Sequence, residues 1–358
     1  MKLKTLTLAA LCISPALISS QPKGTAIAFS LEEGSTLTKT FTSQLEMTLD
    51  DMGLLMNGQE SPAQPDIDMQ VSATTETTVT DEYVKLRGGA PAQLQRTYDT
   101  LAQGQDIEME IDVMGQVQNN DVSVGATSEL EGSTVVFRWN EDDSEYVATF
   151  PDSDGDEELL EGLREDMDLR ALLPGGEVSE GDEWVIAPLD MRDVMSPGGD
   201  LKLVPEESDG ADAFGGMSPE MGGQDDWFNE DMEGEITATF QGTRETEDGV
   251  RVAVIVYAIE ISNGVDITEE TREGLESQDL PPGVDEMEIN STDIEVAIEG
   301  EATLLWNLAE GYLHSFDLGA EIEFLVDSSM NMSVQGMDME IENSMEFSGN
   351  MTLQASAD

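Results

Sequence analysis

Asp106-Ile107-Glu108-Met109-Glu110-Ile111-Asp112-Val113 is the stretch that decides the fold. Carboxylates and apolar side chains alternate in it without a break. A β-strand sends successive side chains to opposite faces, so this spacing puts every acid on one face and every apolar group on the other. The same period runs through Asp293-Ile294-Glu295-Val296-Ala297-Ile298-Glu299 and through Val250, Val252, Val254 and Val256. One wet face and one dry face is antiparallel behaviour. Strands of a parallel sheet are covered on both sides and read as continuous apolar runs.

Short polar turns separate these runs. Asp142-Asp143-Ser144, Asp248-Gly249 and Glu310-Gly311 each sit between two of them and read as hairpins. The reading is a mainly β protein, with long antiparallel meander strands forming sandwich or half-barrel sheets and one or two short helices. One helix is expected near 157–172, within Asp156–Leu173. There Leu159, Leu160, Leu163, Met167 and Leu172 share a helical face, acids crowd the first turn, and Pro174-Gly175-Gly176 follows. A second is expected over Ile267–Ser277, ahead of Pro281-Pro282. Residues 191–233 hold Pro197-Gly198-Gly199, Gly215-Gly216 and Gly222-Gly223 with few, aperiodic apolar groups. They read as a flexible acidic linker or long loop. The expected organisation is thus an N-terminal β-half (21–190), this linker, and a C-terminal β-half (234–358); a single sheet system interrupted by a loop is the alternative.

The first twenty residues have the layout of a secretory signal. Lys2 and Lys4 precede an apolar run over Leu6–Leu11, and Ala16 to Ser20 supply small residues for cleavage. That run is too short to span a bilayer, and no later stretch reaches the roughly 20 apolar residues a spanning helix needs. Cys12 raises lipid attachment. Leu11 stands where a lipoprotein signal asks for a small residue, so a cysteine lost with the signal is the better reading. The expected location is exported: periplasmic, cell-surface or extracellular. A chain cleaved after Ser20 has no thiol for a disulfide, a nucleophile or a metal.

Methionine is abundant, with 20 residues. Met330, Met332, Met337, Met339 and Met345 crowd the C-terminal strands, and three uses are open to them. Thioethers could select Cu(I). The same residues could line a closed core, which their alternation with Val334, Ile341 and Phe347 favours. They could also present an adaptable sheet face to a hydrophobic ligand or an envelope partner. Asp152, Asp154 and Asp156 look like a weak site for calcium or another divalent cation. The glycine and glutamate spacing of an EF-hand is missing, so an acidic cap on the following helix is the stronger reading. Enzyme signals are sparse. His314 is the single histidine, and there is no Gly-x-Ser-x-Gly elbow, phosphate loop or dinucleotide fingerprint. The expectation is a noncatalytic protein without a dedicated cofactor. The alternatives are a surface component that organises divalent cations and a hydrolase with a carboxylate pair hidden among many acids.

Leu172-Leu173-Pro174, Val178 and Gly181-Asp182-Glu183-Trp184 resemble the LLP…V..GD.W segment of an uncharacterised family of exported bacterial β-sheet proteins, periplasmic or lipoprotein in type. Gly300-Glu301-Ala302-Thr303-Leu304-Leu305-Trp306 is similar to the hairpin that follows in that family. The resemblance implies an exported β-fold and carries no activity with it. In physical terms, Gly181-Asp182 makes a turn and Trp184 opens a strand whose ring plugs a core.

Charge sets the solution behaviour. Against 77 acidic residues stand 15 basic ones, for a formal net charge of −62. Nucleic acid is excluded as a partner, because neutralising phosphates takes clustered Lys and Arg. Self-repulsion on this scale opposes compaction. Raising sodium chloride from about 0.1 M to about 1 M shortens the screening length from roughly 10 Å to 3 Å. Thermal melts across that range are expected to show Tm rising with salt. A Tm that does not move on desalting would remove repulsion as a constraint on this fold.

Overall fold

The alternation is realised in strands of unusual length. The computed structural model describes residues 24–60, 66–113, 115–151, 155–205, 229, 231–276, 284–334 and 336–358. In chain order the strands are β1 (Thr25–Ala26), β2 (Thr36–Met56), β3 (Gln59–Glu60), β4 (Asp66–Arg87), β5 (Ala90–Val113), β6 (Gln116–Ser128), β7 (Thr134–Asn140), β8 (Glu145–Thr149), β9 (Glu177–Val178) and β10 (Glu183–Ile186). They continue with β11 (Leu203–Pro205), β12 (Glu233–Glu245), β13 (Arg251–Asp266), β14 (Val284–Asn307), β15 (Tyr312–Val334) and β16 (Met337–Ala357). Two α-helices are described, α1 (Arg192–Met195) and α2 (Thr268–Glu276). The longest strands have 21 to 24 residues, roughly 70–80 Å of chain at a strand's rise.

All but β1 and β9, which pair with each other, lie in one antiparallel sheet ordered β10-β12-β13-β14-β15-β16-β2-β4-β5-β6-β11. β3 pairs with β2, and β7 pairs with β5 and β8. The expected two β-halves are therefore not separate sheets. The last strand lies beside the first long one, with Ala357 opposite Lys39 and Ile341 opposite Met56. The sheet is open, and one end of its apolar face is filled by the segment 155–205, which gives it half-barrel character. Trp306, Tyr257, Phe240, Phe316, Leu304 and Leu94 from the strands pack there with Met167, Leu169, Leu172, Met191 and Val194 from that segment. Burial of side chains this large contributes about 1.5–3 kcal/mol each.

Two sequence expectations are corrected here. The helix near 157–172 is not formed. Glu157–Leu160 and Arg170–Leu172 are single 3₁₀ turns, and the chain between them is irregular. The backbone groups a helix would pair internally are taken elsewhere. The Arg164 and Glu165 carbonyls accept from the Arg96 guanidinium, Arg164 N–H donates to Gly198 O, and Asp168 N–H donates to its own neighbour's carboxylate, Asp166 Oδ1. Leucines at helical spacing point inward because this segment threads a core. The flexible linker expected at 191–233 is corrected in its described part. Residues 191–205 fold into the end of a 3₁₀ turn, α1 and β11, and bury Met191, Val194 and Leu201. Gly199, at φ +82°, lies so close to the 162–164 turn that a Cβ there would sit 2.1 Å from Gly162 O. Pro197-Gly198-Gly199 is a docked turn, not a spacer. Residues 206–228 lie outside the described residues. The helix expected over Ile267–Ser277 is present as α2, where Arg272 donates to the Ile289 and Asn290 carbonyls and so guards the edge of β14.

Gly349 marks the seam between β16 and β2. A Cβ there would lie 2.0 Å from Glu46 O and 2.9 Å from Met47 Cα, whereas at Gly319 nothing lies within 4 Å. Gly349→Ala is expected to cost about 1–3 kcal/mol through overpacking. Gly319→Ala should be neutral or slightly stabilising in the same urea titration.

Candidate functional site

Two features carry unusual chemistry. The first is a sealed ion cluster inside the filled end of the sheet. Lys39, Asp81 and Arg96 occupy inward positions on β2, β4 and β5, among Leu37, Phe41, Val79, Tyr83, Leu94 and Tyr98. The Arg96 guanidinium grips both Asp81 oxygens at 2.8 Å. Lys39 Nζ reaches Asp81 Oδ2 at 2.8 Å and Asp168 Oδ1 at 2.6 Å, and the Tyr83 hydroxyl donates to Asp168 Oδ1 at 2.6 Å. Arg170 pairs with Glu165 and, at 3.0 Å, with Asp166. The side chains of Lys39, Asp81, Arg96 and Asp168 are 0 % exposed, so no substrate reaches them in this conformation. The cluster clamps the 164–172 segment to three strands.

Its groups titrate abnormally. Burial opposes ionisation of Asp81, but Arg96 and then Lys39 outweigh it and hold the carboxyl down at about 2. At Glu165 burial dominates. Arg170 offsets only part of it, and Asp166 and Asp168 add repulsion, so the carboxyl is pushed up to about 7. A neutral Glu165 leaves Lys39, Arg96 and Arg170 matched by Asp81, Asp166 and Asp168. Among the described residues Glu165 Oε1 has no hydrogen-bond partner.

The second feature is the far end of the sheet. β2 and β4 part after Thr48 and Gln70, so the sheet forks. One prong is β14-β15-β16-β2 and the other is β4-β5-β6. The apolar face persists on both. A small cluster of Leu49, Met69, Val71, Ile107 and Met109, joined by Met52, Met345 and Phe347, bridges the root of the fork. Beyond it, among the described residues, neither hydrophobic cluster continues. Among the described residues the strands of the first prong make extended contact only with their sheet neighbours and, on β14, with α2.

This places the sequence candidates. Met345 joins the bridging cluster. Met330, Met332 and Met339 are half-buried, Met337 is 64 % exposed, and none of the four belongs to either hydrophobic cluster. None of the four is fully buried. The structure adds Met56 and Met287 to the same face, opposite Ile341 and Met332. Asp156 caps the 3₁₀ turn, accepting from Glu158 N–H at 3.1 Å, while Asp152 and Asp154 lie outside the described residues. His314 is the extra residue of a bulge between the Leu305–Ser315 and Trp306–Leu313 pairs. Gly181 turns at φ +88°, and Trp184 follows in β10 with its indole N–H donating to Leu172 O at 3.3 Å, an acceptor shared with the Tyr257 hydroxyl. Two hollows of about 690 and 670 Å³ lie on the acidic face, where Glu46, Glu108, Glu321 and Glu323 line the first. Among the described residues no three His, Cys, Asp or Glu side chains converge on a metal position.

The sequence signal for the ion cluster was present but unread. Leu37-Lys39-Phe41, Val79-Asp81-Tyr83 and Leu94-Arg96-Tyr98 each put a charge at the apolar parity. The raised Glu165 value fixes a sign. Between about 4.5 and about 7 the folded chain holds a proton that the unfolded chain has released, so stability falls as pH rises through that window. Relative to Glu165→Gln, the unaltered protein is expected to lose on the order of 2 kcal/mol over that range in urea unfolding. A flat difference would mean that Glu165 is ionised throughout.

No family model and no curated protein matches the chain. Among solved structures, the outer membrane protein OprG from Pseudomonas aeruginosa overlaps at TM-score 0.23 and 7 % identity, covering 91 % of this chain and 98 % of that one. The β domain of the Bordetella autotransporter BrkA overlaps at 0.12 and 8 %, covering 89 % and 99 %. A putative AttH from Nitrosomonas europaea overlaps at 0.11 and 8 %, covering 97 % and 98 %. Overlaps this shallow between strand-rich chains do not establish a shared topology.

Proposed function

We propose that this chain is a noncatalytic exported protein of the cell envelope or external medium that offers the uncovered apolar face of its forked sheet to a hydrophobic ligand or partner. The observation that carries the reading is where the core stops. The filled end has the 155–205 segment over its apolar face, while the same parity runs on to the prong as Met330, Met332, Met339, Ile341 and Met56, none of which joins either hydrophobic cluster of the described residues. Methionine suits such a face, being unbranched and polarizable and able to repack against irregular apolar shapes. Export rests on the signal-like first twenty residues, and the Leu172–Trp184 segment supports membership of the exported family it resembles. The acidic face keeps a molecule with this much open apolar surface in solution.

Titration with a fluorescent long-chain fatty acid, alongside native mass spectrometry of gently purified protein, tests the reading. Saturable binding or a copurifying lipid is expected. Met330→Asp with Ile341→Asp, on directly opposed half-buried positions, should abolish binding and leave the thermal transition in place. Absence of saturable binding, or binding unchanged in the double variant, would set the hydrophobic-ligand reading aside.

A further inference from the structure

The register at the tip of the first prong does something sequence spacing cannot show. Met287 on β14 lies directly opposite Met332 on β15, and Met332 lies directly opposite Met339 on β16. Three thioethers thus form one row across three adjacent strands, all on the apolar face and all half-buried. Directly opposed residues hold their Cβ atoms about 4.5–5.5 Å apart. Three rotatable bonds let each outer methionine fold its sulfur over the central one. We propose that Met287, Met332 and Met339 form a three-thioether binding site for Cu(I).

Three arguments carry the site. The row is unassigned by packing, since none of the three side chains belongs to either hydrophobic cluster. Its donor set is selective. The neighbouring carboxylates Glu286, Glu288, Asp338 and Glu340 occupy the opposite parity and project from the other face, so among the described side chains the row presents soft sulfur without hard oxygen. Soft thioethers favour Cu(I) and leave calcium, magnesium and zinc to the acidic face. Finally, the surrounding net charge of −62 raises the local concentration of any cation at the surface without contributing ligands to this face. The site shares Met332 and Met339 with the face of the proposed function but needs no bound hydrophobic molecule, so copper binding can hold where fatty-acid binding fails.

The test uses the full chain carrying Cys12→Ser, so that no thiol competes. Cu(I), held reduced by ascorbate without oxygen, is titrated against the chromogenic chelator bicinchoninate. The protein is expected to withdraw a single equivalent from the chelator, with a sulfur-dominated first shell in copper X-ray absorption. Met287→Leu with Met332→Leu and Met339→Leu keeps the apolar volume and should lose that equivalent. Met69→Leu with Met109→Leu, a methionine pair on the other prong, should keep it. Failure of the starting protein to compete, retention of the equivalent by the triple variant, a shell of nitrogen or oxygen alone, or equal loss in the Met69/Met109 variant would each overturn the site. Circular dichroism of the triple variant separates loss of sulfur from loss of fold.

Discussion

A strand has only two faces, and this chain holds one of them apolar over more than twenty residues at a time. That constraint governs the rest of the structure. A one-residue slip between any two long strands would turn carboxylates inward along their whole length, so register is fixed by the cost of burying acids. Where the ladder must slip, it does so at bulges. One falls between the Glu346–Asp51 and Phe347–Leu49 pairs, and after it Met345 and Met52 still face the same side as Phe347 and Leu49. The parity also explains how so acidic a chain can be compact, because its charges are spread over a face open to water and ions.

One sheet cannot bury its own apolar face, and the molecule solves this at one end only. The 155–205 segment supplies a second layer with little regular structure, held by the buried ions as well as by its leucines. Desolvating such ions is expensive, and their pairing recovers that cost only with close geometry and satisfied hydrogen bonds. Asp81 meets the condition, engaged by Arg96 twice and Lys39 once. Glu165 does not, and desolvation there favours the neutral form. What the cluster adds is direction. Leucines alone would hold the segment in several sliding positions, while the fork of Arg96 on two successive carbonyls admits one.

The fold class was legible because its signal is long and periodic. Alternation over 106–113 and 293–299 specifies strands, their wet faces and their antiparallel pairing without any knowledge of neighbours. The segment 156–173 reads as a helix because helical spacing of leucines and a chain winding through a core leave the same mark. Only the partners of its backbone groups, on β5 and at Gly198, tell them apart. Of the two organisations the sequence left open, the strand ladder has the single sheet system, because a Gly- and Pro-rich stretch does not record where a sheet ends. Met330, Met332 and Met339 were visible as candidates. Their alignment with Met287 was not, since it depends on register shifts at Val284/Glu286 and Ile289/Ser291 that no composition records.

The two ends of the sheet use one pattern for opposite ends of a physical scale. Near Trp306 the apolar parity is filled by rigid aromatic and branched side chains in close packing, which selects a single arrangement. Beyond the fork the same parity carries flexible thioethers that, among the described residues, join neither hydrophobic cluster. A half-buried methionine contributes less burial than a core residue and keeps more of its rotamer freedom. Strand pairing on the prong holds the Cβ atoms of the methionine row in fixed relative positions and leaves the sulfurs free to adjust. Beyond the fork the backbone stays ordered by its ladder while neither hydrophobic cluster reaches the thioethers, and the acids fill the opposite parity.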